Sequence, residues 1–155
     1  MTITPGTNSY VSLDDADAIL SQRLFAAPWS AADAAKRAQA LITATTLLDR
    51  LKWAGRRSDF VQTLAWPRTG IRDQDRRTIP NDEIPLAVKT ACAEFALHLL
   101  TSGQLPGGPN VQMRQLGDSM TMYYPTTADE LPKHVRRLLE PYLSAASAHS
   151  AELVP

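Results

Sequence analysis

Glu94 and His98 stand four residues apart, the spacing that brings a carboxylate and an imidazole one turn apart on a helix. This is the one acid–base pairing the sequence offers, and a lone pair of this kind reads as a structural hydrogen bond rather than a general acid or base. His134 and His149 are remote from it and have neither paired cysteines nor regularly spaced carboxylates beside them, so no metal site is expected. Asp14, Asp15 and Asp17 fall where a helix begins and read as charges that complement its dipole. Cys92 is the single cysteine and lies in an apolar run, where a thiol behaves as a small hydrophobe. Disulfide frameworks and thiolate metal clusters within one chain are thereby excluded. No nucleophile motif and no phosphate-cradling glycine loop is present. The expectation is a protein that is not an enzyme, with no catalytic, cofactor or metal-binding residues.

Arginine is the residue type whose distribution carries information. The chain is formally neutral, with 16 basic and 16 acidic residues. Residues 50–77 nevertheless carry a net charge of +5, against −2 for residues 1–49 and −3 for residues 78–155. Arg56, Arg57, Arg68, Arg72, Arg76 and Arg77 lie in that basic stretch and are the candidate contacts to DNA phosphate or to a neighbouring subunit. Trp53, Leu64, Trp66 and Pro67, with Phe60 and Ile71, read as the groups that anchor the stretch to the rest of the molecule. The balanced total argues against a protein that coats nucleic acid as its main work.

The elements that must position these residues are mostly helical. Residues 82–100 form the central one: Ile84, Ala87, Val88, Ala91, Cys92, Phe95, Ala96 and Leu99 share a face, and Leu86, Ala93, Leu97 and Leu100 make a second apolar strip. A helix apolar around most of its girth is buried from two sides. Asn81 or Asp82 is its expected cap, Pro85 lies in the first turn and Gly103 marks its end. Ser12 caps an earlier helix with Leu13, Ala16, Ile19, Leu20 and Leu24 on its apolar face, stopped by Pro28. Ser30, with Asp33 three residues on, is the expected cap of a second helix over 31–51, with Trp29 packing on it as a hydrophobic staple.

From Trp53 to Pro80 the helical period disappears, and the stretch reads as one long irregular loop. Gly117-Asp118 predicts a tight β-hairpin over 111–124. Pro132 opens a last helix whose apolar face is Val135, Leu138, Leu139, Tyr142 and Leu143, with a break expected at Pro141. The fold class is mainly α: a small helical bundle around a central buried helix, with one long irregular loop and a β-hairpin. The division is an extended arm at 1–11, a helical domain at 12–143 containing loop 53–80 and hairpin 111–124, and a tail at 144–155.

At 155 residues, 44% hydrophobic and 21% charged, the chain suits one globular domain. No apolar run is long enough to span a bilayer, and Met1 to Pro5 has no secretory character, so no membrane association is expected.

Several runs resemble a known group. Asn8-Ser9-Tyr10-Val11-Ser12-Leu13 with Ala16, Ala40-Leu41-Ile42 with Ala44-Thr45, Leu64-Ala65-Trp66-Pro67-Arg68, and Ile79-Pro80 with Ile84-Pro85 and Ala87-Val88 are similar to tailed-phage proteins labelled DnaT-like single-stranded-DNA-binding proteins. The order of elements also resembles the head-tail connector (adaptor) proteins of long-tailed phages. The connector resemblance implies a structural virion protein. It would form a ring of about twelve copies between the portal protein and a tail-side neck protein, around the passing double-stranded DNA. Its place would be the virion neck, after assembly in the host cytoplasm. The alternative is a DnaT-like protein that binds single-stranded DNA.

Overall fold

The computed structural model describes residues 2–103, 105 and 131–145. The expected hairpin at 111–124 and the tail from residue 146 lie outside these residues. Among the described residues the chain is mainly helical, with helices packed around a central one.

Helix α1 (Leu13–Ser21) begins where Ser12 accepts a hydrogen bond from the Asp15 N–H at 3.1 Å. It buries Ala16 and Leu20. Leu24, expected on its apolar face, instead lies beyond the helix and is exposed beside Phe25, whose φ is +63°. The cause is a second break: Pro28 does not merely stop α1 but opens a five-residue helix, α2 (Ala27–Ala31). Ser30 is therefore inside α2, and Asp33 caps the following helix, accepting from the Lys36 N–H at 2.8 Å. Helix α3 (Ala34–Leu48) ends three residues before the expected Leu51. Trp29 is buried at the junction, where its indole N–H donates to Asp17 at 2.7 Å and Arg37 stacks over its ring. Asp17 thus joins α1 to α2 and is more than a helix-start charge.

The central helix, α4 (Leu86–Ser102), carries α1, α2, α3 and the last helix around it. Val88, Ala91, Cys92, Ala93, Phe95, Ala96, Leu97 and Leu99 are buried, the small ones allowing close helix approach. Its cap position is Pro85 rather than Asn81 or Asp82, because Pro85 is extended and its carbonyl already accepts from Val88 and Lys89. Leu86, at the first helical position, is exposed. At the other end Gly103 takes φ +66° and donates back to Leu99. Thr45 Oγ1 lies 3.3 Å from Cys92 Sγ, and earlier on α3 Lys36 to Thr43 faces the later stretch Leu99 to Gly103 of α4, so α3 and α4 run antiparallel.

The last helix, α5 (Lys133–Leu139), gives way to a one-turn 3-10 helix over Glu140–Tyr142 that contains Pro141, the break that proline dictates. The chain then returns to the start of the long loop. Ala54 N–H donates to Tyr142 O and Ser144 N–H to Lys52 O, both at 2.9 Å, around a Trp53–Leu143 bridge.

Ser9, Tyr10 and Val11, at the end of the N-terminal segment, are fully buried in the common core. The 53–80 stretch, expected as one irregular loop, holds short paired segments. It contains an antiparallel pair, β1 (Arg56–Arg57) with β2 (Arg68–Thr69), and a second tight turn bridged between Arg72 and Thr78.

Candidate functional site

The long loop is built inward from its aromatic residues. Tyr10, Trp53, Trp66 and Tyr142 form a chain of edge-to-face contacts, with ring centroids 6.4, 5.4 and 5.9 Å apart in that order. It links the N-terminal segment, the loop's start, its middle and the turn after α5. Trp53, Leu64 and Trp66 are buried, Pro67 is half-buried and the Trp66–Pro67 peptide is cis. Both tryptophans are therefore committed to the core and offer no face to a base. Phe60, grouped with the anchors on sequence grounds, is instead fully exposed at a turn.

The six arginines separate into two kinds. Arg68 is not a surface contact, because its guanidinium is buried and donates to the carbonyls of Ala54 (2.7 Å), Ala65 (3.0 Å) and Gly55 (3.0 Å). Burial, and then the positive charge of Arg57, pull its pKa down. It closes the loop upon itself. Arg56 and Arg57 are exposed on β1, paired in the ladder with Thr69 and Arg68 respectively. Arg72, Arg76 and Arg77 are exposed on the second turn. There Asp73 Oδ1 accepts from the N–H groups of Asp75 and Arg77, Arg76 has φ +62°, and Arg77 pairs with Asp75 at 3.2 Å. That exposed ion pair contributes little stability, and the acids dilute the positive charge of the turn.

The turn carrying Phe60 is fastened by side chains. Asp59 accepts from the Val61 N–H at 3.1 Å. Gln62 accepts from the Asp59 N–H at 2.9 Å and donates to the carbonyls of Leu64 and Pro67. Phe60 and Val61 are thus held out into solvent in the segment that joins β1 to β2.

The acid–base pairing expected on α4 does not form. Glu94 is held by Arg23 at 2.7 Å and by His134 Nε2 at 3.3 Å, joining the end of α1, α4 and α5. His98 stacks on Phe95 instead, and burial followed by the nearby His134 lowers its pKa. A carboxylate so paired serves to tie helices together. Arg23 is 71 positions from Glu94, and nothing local in the sequence marks the contact. A groove of about 440 Å³ between the second loop turn and α5 is lined by Asp73, Asp75, His134, Arg137 and Tyr142, a mixed-charge set without a nucleophile–base pair. Among the described residues no three His, Cys, Asp or Glu side chains cluster as a metal site would require, and no helix is long and apolar enough to cross a membrane.

A family model described as "Putative DnaT-like ssDNA binding protein" matches residues 1–154. The chain belongs to that family. Neither a curated protein nor a solved structure matches it. Of the six arginines singled out from the sequence, Arg56, Arg57, Arg72, Arg76 and Arg77 are exposed, as is Phe60 three residues beyond β1.

Proposed function

We propose that the protein is a structural, DNA-contacting subunit of the tailed-phage neck, associating with copies of itself in a ring between portal and tail around the DNA channel. One observation carries the reading. The 53–80 stretch sinks both its tryptophans into the core and keeps Arg56, Arg57, Phe60 and Val61 on its exposed side. Leu24 and Phe25 form a second exposed apolar tip. Large apolar groups left bare on fixed turns suit burial against another protein surface, and arginines beside them suit a subunit boundary or a DNA backbone. Its work there is geometric, with no turnover of a substrate.

A second reading is favoured by the family description and by the exposure of Phe60, Arg56 and Arg57 within one short stretch: binding of single-stranded DNA, with one ring available for stacking and guanidinium groups for phosphate. Buried Trp53 and Trp66 take away the longer stacking platform this reading would use.

The two separate in solution and in the particle. The neck reading expects concentration-dependent assembly, salt-sensitive DNA binding that does not distinguish single from double strands, and the protein's presence in the neck by electron microscopy of particles. A monomer that grips single-stranded oligonucleotides, prefers them strongly over duplex and is missing from particles overturns it.

A further inference from the structure

Two features at different places on the chain match each other. One is the Phe60–Val61 tip, with Phe60 fully and Val61 largely exposed, on a turn whose backbone is pinned by Asp59 and Gln62. A tip already held in one shape loses little conformational entropy when it is buried. The other is a groove of about 250 Å³ between the first half of α3 and the end of α4, lined by Ala40, Leu99, Leu100 and Leu105 and also by Lys36 and Thr43. An apolar cavity of about 150 Å³ accommodates benzene, so the groove has room for a phenyl ring.

The chemistry agrees at the edge as well as in the middle. Asp59 adjoins Phe60 on the tip, and Lys36 lines the groove. Position favours an intermolecular contact. The tip's loop is fastened to the far end of α3, where Ala65 N–H donates to Asp49, and Asp49 is nine residues, about 14 Å of helix, beyond Ala40.

We propose that Phe60 and Val61 of one copy seat in the α3–α4 groove of the next, with Asp59 facing Lys36. The contact is heterologous: each chain offers a tip on one side and a groove on another, so it propagates from copy to copy and closes where the rotation permits. The contact rests on the self-association in the proposed function and names the surfaces that carry it.

Complementary variants test it by mass in solution. Phe60→Ala removes the tip and leaves the groove; Thr43→Trp fills the groove and leaves the tip. Each alone is expected to weaken self-association at least tenfold, while an equimolar mixture forms a two-chain complex that grows no further, since it uses the one intact tip and the one intact groove. Lys36→Glu is a second groove variant that should not disturb folding, because a glutamate three residues after the Asp33 cap suits the helix start; it too is expected to weaken association. Wild-type assembly undiminished by Phe60→Ala, or a mixture that stays monomeric, overturns the contact and leaves the neck reading standing. Wild-type chain that stays monomeric at every concentration also overturns the contact, and the neck reading is then decided by the protein's place in the particle.

Discussion

The Tyr10 hydroxyl donates to Asp49 Oδ1 at 2.6 Å, and the same oxygen accepts the Ala65 N–H at 2.6 Å. One carboxylate at the end of α3 thereby secures both the N-terminal segment and the arginine-bearing loop. Burial and the neighbouring Asp49 charge push the Tyr10 pKa far above its usual value, so the hydroxyl remains a donor throughout the working pH range.

Asp49→Ala leaves two donors without their acceptor and is expected to cost on the order of 3 kcal/mol. Tyr10→Phe keeps the Ala65 bond and should cost about half as much. Urea denaturation of both variants checks the order; equal losses would mean that Asp49 does not serve the two segments independently.

The arginines should divide by role. Arg68→Ala strips three carbonyls of their donor and is expected to lower stability by about 3 kcal/mol. Arg56→Ala and Arg57→Ala, at exposed positions, should each change stability by less than about 0.5 kcal/mol. If these two contact phosphate, each substitution lowers DNA affinity and reduces the salt slope of binding by about 1. Thermal melts together with salt titrations of oligonucleotide binding separate the two effects.

Gly55 has φ +67°, and a Cβ placed there would lie 2.3 Å from the Thr69 carbonyl oxygen. The close neighbour is backbone, so Gly55→Ala must part β1 from β2, at an expected cost above about 2 kcal/mol. Hydrogen exchange should show amide protection falling around 56–69 while α4 keeps its own. Unchanged protection of the ladder would contradict the close approach.

Cys92 should be inert in the native protein. Burial pushes its thiol up to about 11, and the native state excludes reagent as well. Labelling with a disulfide reagent is therefore expected to follow unfolding, and rapid stoichiometric labelling of folded protein would refute it. The sign of the pH effect follows from linkage. Between 9.0 and about 11 the folded thiol keeps a proton that the unfolded thiol has lost, so its contribution is complete below that window and declines as pH rises through it. The stability difference between wild type and Cys92→Ala should narrow over the same range.

Periodicity was enough to find α4 and the core face it presents, since a helix buried on several sides has to be apolar around most of its girth. Proline and glycine likewise marked the break at Pro141 and the end at Gly103, because both act through backbone geometry that needs no distant partner. The tryptophans of the long loop were legible as anchors for a similar reason: rings that large are costly to leave in water. Phe60, of the same residue class, was indistinguishable from them by type, and only the side chain-pinned turn put it outside.

The remaining roles come from packing between distant segments. Arg68 and Arg57 are the same residue type in the same basic stretch, yet one lies beneath three carbonyls and the other in solvent, since burial depends on which backbone oxygens the fold leaves unpaired. Glu94 had a plausible partner four residues away and took two from elsewhere, Arg23 just past α1 and His134 on α5, because the packing of α1 and α5 on α4 brought both within reach. A helical frame, its punctuation and the place where positive charge gathers are all written in local pattern. Which of those charges reach a partner is set by contacts between residues tens of positions apart, a property of the folded chain alone.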